Sequence, residues 1–131
     1  MSHYHGVVWI DHHEARIFEL NEEEVDKEVI KAPKQVRHNH NKDGSMSTWR
    51  AKFDKQFHEA IAKELGGVQE LLIVGPANAK LGLMKYLHDH ARPLADKVVG
   101  IETVDHPSDK QLISYARNYF KHADRMLPQL P

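Results

Sequence analysis

Three histidine pairs share a two-residue spacing, His3-x-His5, His38-x-His40 and His88-x-His90, and His12 and His13 stand side by side after Asp11. Imidazole binds zinc and serves as a general base, so metal-assisted hydrolysis is the first chemistry to weigh. Residues two apart share a face on a strand but diverge by about 200° on a helix, which separates His88 from His90 if that segment is helical. His3 with His5, or His38 with His40, supplies two ligands. A closed zinc site needs about four, and no second half follows at a recognisable spacing. Asp11 is one carboxylate of the sort a two-metal nuclease gathers, yet Gly75-Pro76-Ala77 stands where further acids are needed, and Asp54 and Glu59 bring no inward partner. Asp11 is therefore assigned to ordering a turn or balancing Arg16. No catalytic residue, metal ligand or cofactor is called for, and a metal-dependent hydrolase using the histidines and Asp11 is the alternative.

Charge is distributed more tellingly than the histidines. Between Lys31 and His58 stand Lys31, Lys34, Arg37, Lys42, Arg50, Lys52 and Lys55 against Asp43 and Asp54, so 7 − 2 = +5. Between Ile10 and Ile30 the balance is 2 − 8 = −6, in a chain whose net charge is −1. A surface polarised in this way suits a polyanion such as RNA on its positive part and repels it elsewhere. Lys34, Arg37, His38, His40, Lys42, Arg50, Lys52 and Lys55 are the candidate nucleic-acid-binding residues. The Asn-rich loop before Trp49 can mould itself to a folded RNA, while Trp49, at helical spacing with Phe53 and Phe57, belongs to a core stripe. The ordinary alternative for such charges is a solvated loop and helix face.

The totals exclude several classes. With 131 residues, 40% hydrophobic and 28% charged, the chain fits one domain, 1–131, of the soluble globular kind. Zero cysteines rule out a disulfide framework, a thiolate metal site and a thiol nucleophile. No apolar run approaches the roughly 20 residues that span a bilayer, and MSHYHGVVWID lacks a basic stretch followed by an apolar one, so a cytoplasmic location without membrane partners is expected.

Periodicity supplies the elements that must position these residues. GVVWI and ARIFEL predict a hairpin closed by the four-residue turn DHHE, and VDKEVIK predicts a third, half-exposed antiparallel strand ended by Pro33. Trp49, Phe53, Phe57, Ile61 and Leu65 recur every four residues and predict a helix from Ser47 or Thr48, stopped by Gly66-Gly67. LLIV reads as a buried central strand. Ala77 to Ala91 reads as a helix with Leu81, Met84, Leu87 and Ala91 inward, closed at Arg92-Pro93. VVGIETV is the last strand, and Ser108-x-x-Gln111 caps a helix with Leu112, Ile113, Ala116, Tyr119 and Phe120 inward. The order β-β-β-α-β-α-β-α predicts an α/β, ribonuclease-H-like three-layer fold with a mixed five-stranded sheet. The turn Gly75-Pro76-Ala77-Asn78 offers a helix N-terminus to an anion, but it reads first as a tight connection.

The run DGSMSTWRAKFDKQFHEAIAKELGGVQELLIVGPANAKLGLMKYL resembles the middle domain of archaeal and eukaryotic class-1 peptide-release factors and of related bacterial release-factor-like proteins of the translational machinery. KVVGIETVDHPSDKQLISYA is similar to the next strand and helix of that domain, and GVVWIDHHEARIFEL to its opening hairpin. The resemblance implies ribosome, tRNA or other RNA as partner. It also implies a Gly-Gly-Gln tip, where this chain has Lys42-Asp43-Gly44-Ser45-Met46; Gly66-Gly67-Val68-Gln69 reads as a helix stop. The expected function is thus a non-enzymatic, translation-associated binding protein contacting ribosome or RNA through the basic loop and helix. A homodimer, acidic hairpin against basic helix, is a further alternative.

Overall fold

The computed structural model describes residues 5–33 and 45–126, and the side chains of 5–33 and 54–122. Strands β1 (His5–Ile10), β2 (Glu14–Leu20) and β3 (Val25–Lys31) are followed by helix α1 (Ser45–Glu64), strand β4 (Glu70–Gly75), helices α2 (Ala79–His90) and α3 (Arg92–Ala95), strand β5 (Val98–Thr103) and helix α4 (Asp109–Met126). The five strands form one mixed sheet in the order β3-β2-β1-β4-β5. β1 to β3 are antiparallel neighbours, whereas β4 runs parallel to β1 and β5 parallel to β4.

The sheet is covered on both faces, which explains the unbroken apolar runs of its central strands. Val8, Ile10, Ala15, Ile17, Leu71 and Ile73 face Phe57, Ile61 and Leu65 of α1 and Leu83 and Leu87 of α2. Val7, Trp9, Phe18, Leu20, Leu72 and Val74 face Leu112, Ala116 and Phe120 of α4. Fully burying each of these large side chains contributes about 1.5 to 3 kcal/mol.

Local chemistry ends each element where the residue types demand it. Asp11 Oδ1 accepts from the N–H groups of His13 and Glu14, both at 2.8 Å, so this carboxylate orders the first hairpin turn. The turn holds three residues, since Glu14 already belongs to β2. Asn21 repeats the device, accepting from Glu23 and Glu24 at 3.0 and 2.6 Å. Ser108 and Gln111 form a reciprocal capping box, Gln111 N–H to Ser108 Oγ at 3.2 Å and Ser108 N–H to Gln111 Oε1 at 2.9 Å.

Four expectations are corrected. α1 begins at Ser45, two to three residues before the predicted start. Pro93 does not close α2; it stands in the first turn of α3, where a missing N–H is harmless. The inward stripe of α2 runs through Leu83 and Leu87, while Leu81 is 56% exposed. Arg16 is balanced by Asp109 at 2.8 Å, not by Asp11.

Candidate functional site

Of the candidate nucleic-acid-binding residues, Lys34, Arg37, His38, His40 and Lys42 lie outside the described residues. Arg50 and Lys52 stand on α1, but their side chains lie outside the described set, as does that of Trp49, the residue expected in the core stripe. Lys55 is exposed and has no ion-pair partner among the described residues. Helical spacing sets Lys52 one turn before Lys55, and Arg50 two turns before the buried Phe57.

The register of β2 and β3 decides where the opposing acids go. Ala15 and Ile17 face α1, so by alternation Glu19 does too, and so do the cross-strand partners Asp26, Glu28 and Ile30. The basic residues Arg16, Lys27 and Lys31 take the other face. There Lys31 Nζ reaches Glu14 at 3.0 Å, and Arg16 and Lys27 both bind Asp109 at the start of α4. Arg16 also stacks over the Trp9 ring, 4.5 Å from its centroid. These two cations hold the Asp109 carboxyl below the usual carboxylate range, the Lys27 hydrogen bond contributing most. The acidic residues Glu19, Asp26 and Glu28 therefore lie on the sheet face against which α1 packs.

A second cluster forms at the carboxyl ends of the parallel strands, where the strand order reverses between β1 and β4 and where open α/β sheets place their ligands. His12 Nε2 lies 3.0 Å from Asn78 Oδ1. His106 Nδ1 lies 2.9 Å from Asp105 Oδ1, and its Nε2 is 3.9 Å from Asp11 Oδ2. The His106 ring sits 5.0 Å from Trp9, whose Nε1–H donates to the Asp105 carbonyl at 2.6 Å. The groups are engaged with one another, and the strand-to-helix turn at Ala77 is held by Lys80, a buried residue whose ammonium donates to the Ala77 carbonyl. This arrangement fits a tight connection, as the turn sequence implied. The sequence drew attention to Asp11, His12 and the turn at Asn78 separately, but carried no signal that they meet or that His106 and Asp105 join them.

Four further histidines take structural places, while His3, His38 and His40 lie outside the described residues. His5 stacks on Phe120 with centroids 4.1 Å apart and pairs with Glu70 at 3.0 Å. His88 and His90 diverge on α2, His88 toward Asp89 and His90 toward Tyr86. His58 packs between α1 and α2 beside Tyr86, where burial holds its imidazole below the ordinary 6.5 while Asp54 pulls the other way. Among the described residues no three of His, Asp and Glu gather so as to hold a metal ion, and no helix is long and apolar enough to cross a membrane.

This architecture is an α/β domain with a mixed five-stranded sheet, and known structures share it. The chain is similar to the crystal structure of the archaeal translation termination factor aRF1, with 15% identity and a TM-score of 0.58, covering 94% of this chain and 35% of that one. Archaeoglobus fulgidus Pelota matches with 14% identity and a TM-score of 0.60, over 95% of this chain and 33% of that one. Thermoplasma acidophilum Pelota matches with 16% identity and a TM-score of 0.56, over 87% of this chain and 32% of that one. The chain thus spans about a third of the length of each. No protein-family model matches the chain, and no curated protein does.

Proposed function

We propose that this chain is a translation-associated binding domain, acting in the cytoplasm without a catalytic step of its own, that contacts the ribosome or its RNA through Lys34 to Lys55. One observation carries the reading: nearly the whole chain shares its fold with a translation termination factor and with Pelota. The +5 balance from Lys31 to His58 adds a segment suited to phosphate, leading directly into α1. The chain has no Gly-Gly-Gln where the resemblance sets that tip, so the proposal is binding and not peptide release.

Ribosomes pelleted through sucrose with the purified chain test this. The wild-type chain co-sediments at low salt, and its binding constant falls with salt by about 0.7 to 0.9 logarithmic units per neutralised phosphate per tenfold change in salt. The triple change Lys42→Glu, Arg50→Glu and Lys52→Glu abolishes co-sedimentation. A folded triple variant that still pellets with ribosomes overturns the assignment of this surface.

A further inference from the structure

Strand β3 forms one edge of the sheet, and its ladder fixes which of its backbone groups are spare. Ala32 N–H donates to the His13 carbonyl at 2.8 Å and Asn21 N–H to the Glu24 carbonyl at 3.1 Å, so both are hydrogen-bonded pairs of the β2–β3 ladder. By alternation Asp26, Glu28 and Ile30 bond to β2, while Val25, Lys27, Val29 and Lys31 direct their N–H and C=O groups outward. No register shift or proline interrupts this strand, and every residue of it but Ile30 is exposed. Proteins blunt such an edge with bulges, proline, a covering element or outward lysines. The opposite edge is treated so: the β4–β5 ladder shifts register between Leu71 and Leu72, and β5 is half-buried from Val98 to Glu102. On β3 the two lysines are instead drawn back over the sheet, Lys27 to Asp109 and Lys31 to Glu14 at 3.0 Å. Val25 and Val29, 38% and 39% exposed, stay bare on that face.

Charge selects what this edge accepts. From Glu22 to Glu28 five acids stand against Lys27, so 1 − 5 = −4, a balance that repels a phosphate backbone. A second copy fits poorly too. A two-fold axis joining two β3 strands sets Glu28 against Glu28, Lys27 against Lys27, or Lys27 against Lys31 in the three central registers, and like charges directly opposite are destabilising. We propose that β3 is a docking edge for an extended, lysine- or arginine-bearing segment of a protein partner, which adds to the sheet as a sixth strand. Antiparallel addition satisfies the outward groups of Val25, Lys27, Val29 and Lys31, sets cationic side chains opposite Asp26 and Glu28, and covers Val25 and Val29 with apolar ones. The edge is separate from the basic loop and helix and does not depend on the translation reading.

Titration of the 15N-labelled chain with the acetylated, amidated heptapeptide Thr-Val-Val-Lys-Thr-Lys-Val tests the proposal. Its two lysines fall opposite Glu28 and Asp26 in the antiparallel register. The peptide gives saturable shifts along β3 and slows amide exchange at Lys27 and Val29, whose N–H groups point outward. N-methylation of the peptide residues opposite Lys27 and Val29 keeps its charge and abolishes binding. Val29→Pro removes one outward N–H without breaking the β2 ladder, as proline on a sheet edge allows, and also abolishes binding. Glu28→Lys, an exposed change, weakens the peptide about fivefold. The proposal is overturned if the peptide does not saturate, if its N-methylated form binds as well, if hexauridylate RNA reproduces the shifts, if either variant binds as the wild type does, or if the free chain sediments as a dimer that Val29→Pro splits.

Discussion

The hydroxyl of Tyr119 fills the space that a side chain at Gly100 would occupy, and it donates to Glu102 Oε2 at 3.2 Å. Glycine at this point of β5 lets α4 lie close over the sheet edge. Gly100→Ala must push Tyr119 aside, which costs about 1 to 3 kcal/mol by overpacking. Tyr119→Phe keeps the fit and loses one hydrogen bond, about 0.5 to 1.5 kcal/mol. Urea unfolding of the two variants checks the order; equal stabilities would remove the steric argument.

His58 gives the fold an acid sensitivity. Its folded pKa is lowered by burial, so the unfolded chain binds the proton more tightly and stability is lost as pH falls from 6.5 toward the folded value. Above 6.5 the contribution is complete. The urea midpoint of the wild type therefore declines more steeply from pH 7.5 to 5.5 than that of His58→Gln. Parallel declines would show that another histidine carries the effect.

Asp109 ties α4 to the sheet through Arg16 and Lys27. Its side chain is 38% exposed, so water screens the ion pairs and Asp109→Asn costs only about 1 kcal/mol. Because the folded carboxyl titrates below the ordinary 3.8, its stabilisation is present above that value and is lost as pH falls through the folded pKa. Thermal melts at pH 7 and pH 3 measure both effects; the difference between wild type and variant shrinks at the lower pH.

Leu81 and Leu83 are neighbours in sequence and opposites in the fold, 56% and 0% exposed. Leu83→Ala leaves a cavity under α2 and costs about 2 to 5 kcal/mol. Leu81→Ala stays within about 0.5 kcal/mol of the wild type. Chemical denaturation separates them at once, and a large effect at Leu81 would mean that this face of α2 is covered in solution.

Lys55 is the one proposed contact whose side chain is described, and it is exposed. Lys55→Glu should weaken ribosome association uniformly and reduce the salt slope by about 1, as expected for one phosphate contact. An unchanged slope would take Lys55 out of the contact surface.

Strands and caps were legible because they rest on neighbours in sequence. The alternation in Val25–Lys31 marked β3 to the residue, and Ser108 and Gln111, three apart, announced the cap that forms. The stripe of α2 misled because two series of helical spacing pass through Leu87, one by Leu81 and Met84, the other by Leu83 and Ala79. Both are apolar, and only contact with Ile73 and the rest of that sheet face selects the second.

By itself the sequence determined the kinds of element, their order apart from the short α3, the separation of charge and the absence of thiol chemistry, since each depends on composition or on periods of two to four residues. Tertiary structure alone decided that Glu19, Asp26 and Glu28 face the side on which α1 packs, that His12 meets Asn78 across 66 residues, and that Arg117 meets the Asn21 carbonyl across 96. Strand register and helix placement set those meetings, and they are fixed by burial summed over the whole sheet, a quantity that no short window of residues contains.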